Sequence, residues 1–181
     1  MKWGSVLALL LFLVSKPMSA SESEERAHRF STLYATICGA HIFKLDTLRA
    51  ELNSVPKLPA EKAARFLNSY PGDARPVPVD HGNFVLAIPH EVPMCVVYAR
   101  RASSIMVEAG FLRFVAEVSP PFTAKKTIDK YEPGITSEPV HTLAYEWSTP
   151  TSARKLLFIL TTTESQSGPM QAMGSVSLSS D

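Results

Sequence analysis

The sequence contains few of the residue patterns from which common catalytic sites are built. Its 181 residues include only eight glycines, which leaves little room for a glycine-rich phosphate-binding loop. It has no Gly-x-Ser-x-Gly, His-Glu-x-x-His or Cys-x-x-Cys pattern, so these signatures of hydrolases, zinc proteases and thiol oxidoreductases are missing. The five histidines are scattered singly, whereas zinc sites usually show a close pair. We therefore predict no catalytic residue, no metal ligand and no cofactor.

Neither basic nor acidic residues are in large excess, and the chain has no long apolar run after the first twenty residues. With 18 basic and 17 acidic residues, the chain has a formal charge of +1. This balance is unlike the basic footprint of proteins that bind nucleic acid or anionic membranes. No later segment reaches the roughly twenty apolar residues that a membrane-spanning helix needs. We expect neither nucleic-acid binding nor a transmembrane segment.

The first twenty residues have the pattern of a secretory signal peptide. Lys2 gives a positive start, an apolar run extends from Gly4 to Val14, and the small residue Ala20 follows. The run of about eleven residues is too short to cross a hydrocarbon core of roughly 30 Å, which disfavours an uncleaved anchor. We expect cleavage after about Ala20, which removes residues 1–20 and leaves residues 21–181 as a single mature domain.

The chain has only two cysteines, Cys38 and Cys95. An exported protein enters an oxidising compartment, where an even number of cysteines usually forms disulfides. We predict a Cys38–Cys95 disulfide. A catalytic thiolate is the alternative, and it would need a neighbouring base and a lowered pKa.

Residues 21–70 have the apolar spacing of amphipathic helices and form the predicted helical part. The first helix is expected to end at Gly39, because glycine commonly terminates helices. The second is expected from Ile42 to Leu52, and the third with Pro59 at its first position. Each of these helices needs a partner surface for its apolar face.

Residues 71–181 form the predicted sheet part, with one helix. The proline-rich stretch 71–78 is interpreted as a connector. Segments rich in valine, isoleucine, tyrosine and phenylalanine predict a hairpin, and alternating segments near the C-terminus predict a three-stranded meander. The hairpin strands are residues 84–88 and 94–99, and the meander strands are residues 143–147, 155–163 and 170–178.

Residues 103–118 fit either a helix or a strand, and residues 119–139 lack a regular period. We favour the helix for its length and its serine cap, although residues 111–118 alternate almost as well as a strand. The side chains that this helix is expected to bury are Ile105, Met106, Ala109, Leu112 and Val115. Residues 119–139 are predicted to form an exposed loop.

Together these segments predict an α+β fold. The N-terminal amphipathic helices are expected to pack on one face of an antiparallel sheet of about five strands, which ends in the C-terminal meander.

Two sets of residues are candidates for binding, and a third set of polar residues is not. On the predicted loop, lysines and a tyrosine are candidate partner-binding residues, with a merely solvated loop as the alternative. They are Lys125, Lys126, Lys130 and Tyr131.

Aromatic residues of the meander are candidate ligand-lining residues, with core packing as the alternative. They are Tyr145, Trp147 and Phe158. The polar residues around the hairpin are interpreted as turn residues at its opposite ends rather than as one acid–base or metal site. They are Asp80, His81, His90 and Glu91.

Four short segments carry a resemblance to a known family. They are the strand at Cys95 to Tyr98, the strand at Leu143 to Trp147, and the closing pair at 161–164 and 171–175. They resemble an uncharacterised family of small exported proteins, periplasmic or lipoprotein-type, of Gram-negative bacteria. The chain differs from lipidated members because it has no cysteine at the cleavage region to acylate. The resemblance implies a periplasmic location.

Two functional hypotheses from different classes follow. The first is a non-enzymatic binding protein of the immunity or inhibitor type, which blocks a partner protein such as an exported toxin or enzyme with a loop or a sheet edge. The second is a carrier of a small apolar ligand or lipid held between the helices and the sheet. An enzyme whose polar groups converge only in the folded structure is a third possibility.

Overall fold

The computed structural model describes residues 19–78, 84–134, 138–165 and 168–180. Residues 1–18 of the predicted signal peptide lie outside these ranges. The helices are α1 (Ser19–Leu33), α2 (Leu45–Glu51), α3 (Ala60–Leu67) and α4 (Ser104–Ala116). The strands are β1 (Gly72–Pro76), β2 (Phe84–Pro89), β3 (Met94–Ala99), β4 (Thr123–Pro133), β5 (Pro139–Thr149), β6 (Ser152–Thr163) and β7 (Ala172–Ser180). A π-helical segment, Tyr34–Gly39, continues α1, and a 3-10 turn, Leu52–Ser54, follows α2.

The strands form one antiparallel sheet, with seven strands among the described residues. Their order across the sheet is β1-β2-β3-β7-β6-β5-β4. The predicted hairpin is present as β2 and β3, and the predicted meander as β5, β6 and β7. The last strand in sequence, β7, lies in the middle of the sheet, between β3 and β6. The mixed helix and sheet class is confirmed, whereas the expected number of about five strands is too low.

The first missing strand is β1, in the stretch interpreted as a connector. It pairs with β2 from Gly72 to Pro76, with proline as its last residue. Its charged residues are buried as a pair, with Arg75 Nη2 3.1 Å from Asp73 Oδ2. Burial alone would raise the pKa of Asp73, but Lys57 and Arg75 outweigh that effect and lower it. Alternating Asp and Arg at an edge strand do not give an apolar period, so the sequence pattern indicated a connector.

The second missing strand is β4, within the predicted loop. Thr123–Pro133 pairs with β5 along almost its whole length, with one register shift between Lys126 and Ile128. It is an edge strand, and nearly all of its side chains are exposed on both faces. A strand held mainly by backbone hydrogen bonds to one neighbour needs no apolar alternation, so the prediction of a loop was wrong.

The main core lies between the sheet and a layer formed by α1 and α4. Phe30 of α1 and Tyr34, the first residue of the π-helical segment, are 1% exposed and lie against Gly174 of the middle strand. The Tyr34 hydroxyl donates a 2.8 Å hydrogen bond to the carbonyl of Ser175. A Cβ at residue 174 would lie 2.9 Å from both rings, so glycine is what permits this close approach.

Helix α4 is present as predicted, but it buries a different face. Val107, Phe111 and Val115 are the buried stripe, with the four-residue spacing of one helix face. Of the predicted set, Val115 is buried, while Ile105 is 70% and Met106 47% exposed. The helix is apolar nearly all round, so periodicity alone did not distinguish its two faces.

Helix α3 packs on the opposite face of the sheet. Its Ala63 and Leu67 contact Ala87 and Val96, which alternate with the side chains that face α1. The expectation that all helices cover one face is therefore corrected: α1 and α4 cover one face, and α3 covers part of the other near β1, β2 and β3.

The predicted disulfide is present. Cys38, in the π-helical segment after α1, is bonded to Cys95 of β3, and both residues are fully buried. The bridge joins the end of α1 to the sheet across a sequence separation of 57 residues. None of the helices in the described ranges has the length and apolarity needed to cross a bilayer.

The Gly174 contact gives a test of the core. We expect Gly174→Ala to destabilise the protein by about 1–3 kcal/mol, because the added methyl overlaps the rings of Phe30 and Tyr34. Gly168→Ala is the matched control, since a Cβ there meets its nearest neighbours at 3.5 Å or more. Urea unfolding measures both, and equal midpoints for the two variants would contradict the packing described.

The disulfide gives a second test. We expect Cys38→Ala/Cys95→Ala to lose about 4 kcal/mol of unfolding free energy, the loop-closure entropy of a bridge of this span. Urea denaturation of the double variant and of the reduced wild type should give similar midpoints, both lower than that of the oxidised protein. Unchanged midpoints would show that the bridge contributes nothing to stability.

Candidate functional site

One histidine, His141 on β5, lies between two carboxylates from different elements. Its Nε2 is 3.0 Å from Asp129 Oδ1 on β4, a hydrogen-bonding contact. Its Nδ1 is 3.1 Å from Glu108 Oε1 on α4, which is close enough for an ion pair but not aligned for a hydrogen bond. The Thr162 hydroxyl donates to the same Glu108 oxygen. The result is a charged cluster where α4, β4, β5 and β6 meet.

The strand pairing explains how these residues come together. On β5, His141 belongs to the alternating set that faces the helices, along with Leu143 and Tyr145. In the pairing with β4, Tyr131 lies opposite His141 and Asp129 lies opposite Leu143. The first turns of α4 pass over this end of the sheet and supply the glutamate.

A cavity of about 190 Å³ opens beside the cluster. Ile105 and Tyr131 are among its lining residues, and their side chains are 70% and 68% exposed. The Tyr131 ring stacks on the His141 ring with centroids 4.0 Å apart. We call Ile105, Glu108, Tyr131, Pro139 and His141 the Tyr131 surface. It combines two exposed apolar side chains with the mostly buried side chains of His141 and Glu108.

The electrostatics of the cluster favour a protonated His141. Burial alone would lower its pKa, but the contacts with Asp129 and Glu108 outweigh burial and raise it. The pKa of Asp129 is lowered by its hydrogen bonds, first to Lys126 and then to His141. The Lys126 ammonium is 2.8 Å from Asp129 Oδ2. Cations and carboxylates therefore alternate from β4 to α4.

The geometry of the cluster is that of an ion-paired network. Carboxylates lie within 3.1 Å of both imidazole nitrogens, so neither nitrogen is directed at a hydroxyl or thiol that it would activate. Within the described part of the chain, no group of three or more histidine, cysteine, aspartate or glutamate side chains is arranged to hold a metal ion. The carboxylates lie on opposite sides of the ring instead of converging on one point.

The predicted partner-binding residues lie on β4, and the sheet separates them into two sets. Lys126 and Tyr131 are on the face toward α4, as their pairing with Tyr145 and His141 shows. Lys125 and Lys130 pair with Glu146 and Thr142 and so lie on the opposite face. Only Tyr131 directly borders the cavity, and Lys126 reaches the cluster through Asp129.

The predicted ligand-lining residues pack against α4. The centroid of the Trp147 ring is 4.4 Å from that of Phe158 and 5.5 Å from that of Phe114. The Trp147 Nε1 donates a 2.7 Å hydrogen bond to the carbonyl of Val115. Tyr145 meets Phe111 edge to face. Neighbouring rings occupy the space in which the carrier hypothesis places a ligand.

An apolar groove lies on the opposite sheet face, beyond α3. Its volume is about 380 Å³. Its lining is mostly apolar and includes Tyr98, Val140, Pro169, Met170 and Met173. Sequence patterns did not reveal this groove, because its residues come from β3, β5, β6, β7 and the segment before β7.

The position of His141 between two carboxylates was not predicted either. The histidines are scattered along the sequence, and the carboxylate partners of His141 are 12 and 33 positions away on other elements. Alternation on β5 was the one available indication, since it places His141 on the same face as Leu143. Of the other polar candidates, His90 and Glu91 lie in the β2–β3 turn. Asp80 and His81 lie outside the described residues.

The raised pKa of His141 predicts how stability changes with pH. The folded state binds this proton more tightly than the unfolded chain, so its stabilisation is complete below the unfolded value of about 6.5. It is lost as pH rises through the folded pKa. The stability difference between wild type and His141→Gln should therefore shrink from about pH 5.5 to about pH 8.5.

Urea unfolding across this range measures the difference. His28→Gln is the matched control, because His28 is exposed on α1, a different element from those that hold the two carboxylates. A pH-independent difference for His141→Gln would contradict the charge arrangement.

Comparisons of the chain with family models, with characterised proteins and with solved structures gave no match. The resemblance to small exported proteins of Gram-negative bacteria therefore stays a prediction. What can be argued about function comes from the residues of this chain.

Proposed function

We propose that the protein is a small exported binding protein that acts in the periplasm by attaching to a partner protein and blocking it. In this proposal it belongs to the immunity or inhibitor type, and its partner is an exported toxin or enzyme. It contacts that partner through the Tyr131 surface.

The single observation that carries the proposal is the composition of the Tyr131 surface. Ile105 and Tyr131 project from two different elements beside one cavity, although large side chains of this kind are usually buried. Tyrosine is a frequent anchor of protein interfaces, since its ring is rigid and its hydroxyl tolerates water. Their surroundings, with polar and charged groups around an apolar contact, have the composition expected of a binding patch.

The features of β4 favour contact through side chains over strand addition. The strand has an open edge, but it carries three lysines and a bulge between Lys126 and Ile128. Edge lysines and bulges are the means by which proteins discourage unwanted strand pairing. A partner that docks on side chains at the α4 end of the sheet avoids this obstacle.

Two observations support export. The Cys38–Cys95 bridge is compatible with an oxidising compartment, where such bonds persist. The first twenty residues have the lysine, apolar run and small residue of a secretory signal peptide. The periplasm is the compartment that the resemblance implies.

A carrier of a small apolar ligand or lipid is a second candidate function. The observation in its favour is the apolar groove on the opposite sheet face, near Met170 and Met173. Native mass spectrometry of protein isolated from the periplasm distinguishes the two proposals. A retained small molecule supports the carrier, and a bare mass supports the protein-binding function.

Capture of the partner tests the main proposal. The tagged protein is recovered from periplasmic extract, and copurifying proteins are identified and assayed for inhibition. We expect Tyr131→Ala to weaken binding of the inhibited partner about thirtyfold, the effect of a hot-spot residue contributing about 2 kcal/mol.

Tyr70→Ala is the matched control, because Tyr70 is 42% exposed but lies two residues before β1, outside the Tyr131 surface. It should bind like the wild type. Recovery of no inhibited partner overturns the proposed function, and equal binding by both variants overturns the assignment of the surface.

A further inference from the structure

The cavity beside His141 has the size of the end of one long side chain. Its volume is about 190 Å³. Because a water molecule in the liquid occupies about 30 Å³, this is room for roughly six non-hydrogen atoms. Aromatic and aliphatic walls come from Tyr131 and Ile105, and carboxylates come from Glu108 and Glu164.

Glu108 offers a free acceptor to a group that enters this cavity. Its Oε1 accepts the hydroxyl hydrogen of Thr162 and faces His141 Nδ1. No hydrogen bond from a described residue reaches its Oε2, and this atom is not among the buried unpaired atoms, so it is at least partly exposed. A donor in the cavity would therefore find an unoccupied carboxylate oxygen.

We propose that this cavity binds the guanidinium group of an arginine side chain that the partner protein presents. The inference rests on the proposed function, because the arginine belongs to the surface of that partner. Guanidinium donates hydrogen bonds to carboxylates and stacks on aromatic faces. Glu108 supplies a carboxylate, and Tyr131, which covers His141 with one face of its ring, offers the other face for stacking. An anion would meet the Glu108 carboxylate, which opposes any attraction from the start of α4.

A proton on His141 competes with this arginine. Protonated His141 supplies a cation to Glu108, so a second cation gains less from the same carboxylate. When His141 is neutral, the half-buried Glu108 lacks that partner and an entering guanidinium takes its place. The other groups that face the ring or its cavity are Asp129 with its partner Lys126, Tyr131 and Glu164. Binding of arginine should therefore tighten as pH rises.

The test uses an arginine derivative whose only charge is the guanidinium group. N-acetyl-arginine amide is titrated into the full protein, and amide shifts are followed by NMR at about pH 5.5 and about pH 8.5, on either side of the ordinary imidazole range. N-acetyl-citrulline amide, which has nearly the same shape but no charge, is the control ligand. We expect saturable shifts around Ile105, Glu108 and Tyr131 with the arginine compound alone, and about tenfold weaker binding at the lower pH.

Two variants locate the interaction. Glu108→Gln keeps a hydrogen-bonding group of similar shape, and we expect it to weaken arginine binding about tenfold at the higher pH. Glu117→Gln, at the exposed C-terminal end of the same helix, should bind like the wild type. The same spectra report whether each variant is folded.

The outcomes separate this inference from the proposed function. Absence of saturable shifts in the wild type, equal binding of the citrulline compound, or tighter binding at the lower pH overturns the arginine site, whatever partner is captured. Failure to capture an inhibited partner overturns the proposed function but leaves a measured preference for guanidinium standing.

Discussion

The architecture depends on the close approach of α1 to the middle strand of the sheet. This approach requires a residue without a side chain at position 174, under the rings of Phe30 and Tyr34. The buried hydroxyl of Tyr34 satisfies its hydrogen-bonding need on the backbone of the same strand. With α1 fixed there, α4 packs beside it, where Gly110 abuts Ser31. The position of α4 in turn brings Glu108 to His141, so the candidate site depends on a contact in the core.

Sequence reasoning succeeded where burial produces a regular apolar period. The hairpin of β2 and β3, the C-terminal meander and the existence of α4 are of this kind. The two strands it missed, β1 and β4, are the edges of the sheet. Edge strands are held by backbone hydrogen bonds to one neighbour and bear charged side chains, so nothing in their composition distinguishes them from exposed loops. The orientation of α4 was missed for the opposite reason, since apolar residues surround it.

The candidate site could not be predicted from the sequence, and the reason is the topology of the fold. Tyr131 was identified as an exposed anchor, but the glutamate, aspartate and histidine beside it are separated along the chain. They meet because an edge strand, its neighbour and a helix that precedes both converge at one end of the sheet. The predicted sheet lacked β4. It therefore contained no pairing of β4 with β5, and that pairing is what places Tyr131 over His141. The disulfide could be predicted from the sequence because the chain has only two cysteines to pair.

The location of β7 has a consequence for how the molecule assembles. The strand that joins the two halves of the sheet follows the other six described strands in the chain, so it leaves the ribosome after them. Until it arrives, β1-β2-β3 and β6-β5-β4 are separate ribbons, each with a hydrophobic surface and an unsatisfied backbone edge. A nascent chain therefore stays loosely organised until β7 has been synthesised, and truncation before β7 would leave two fragments of a sheet with no centre.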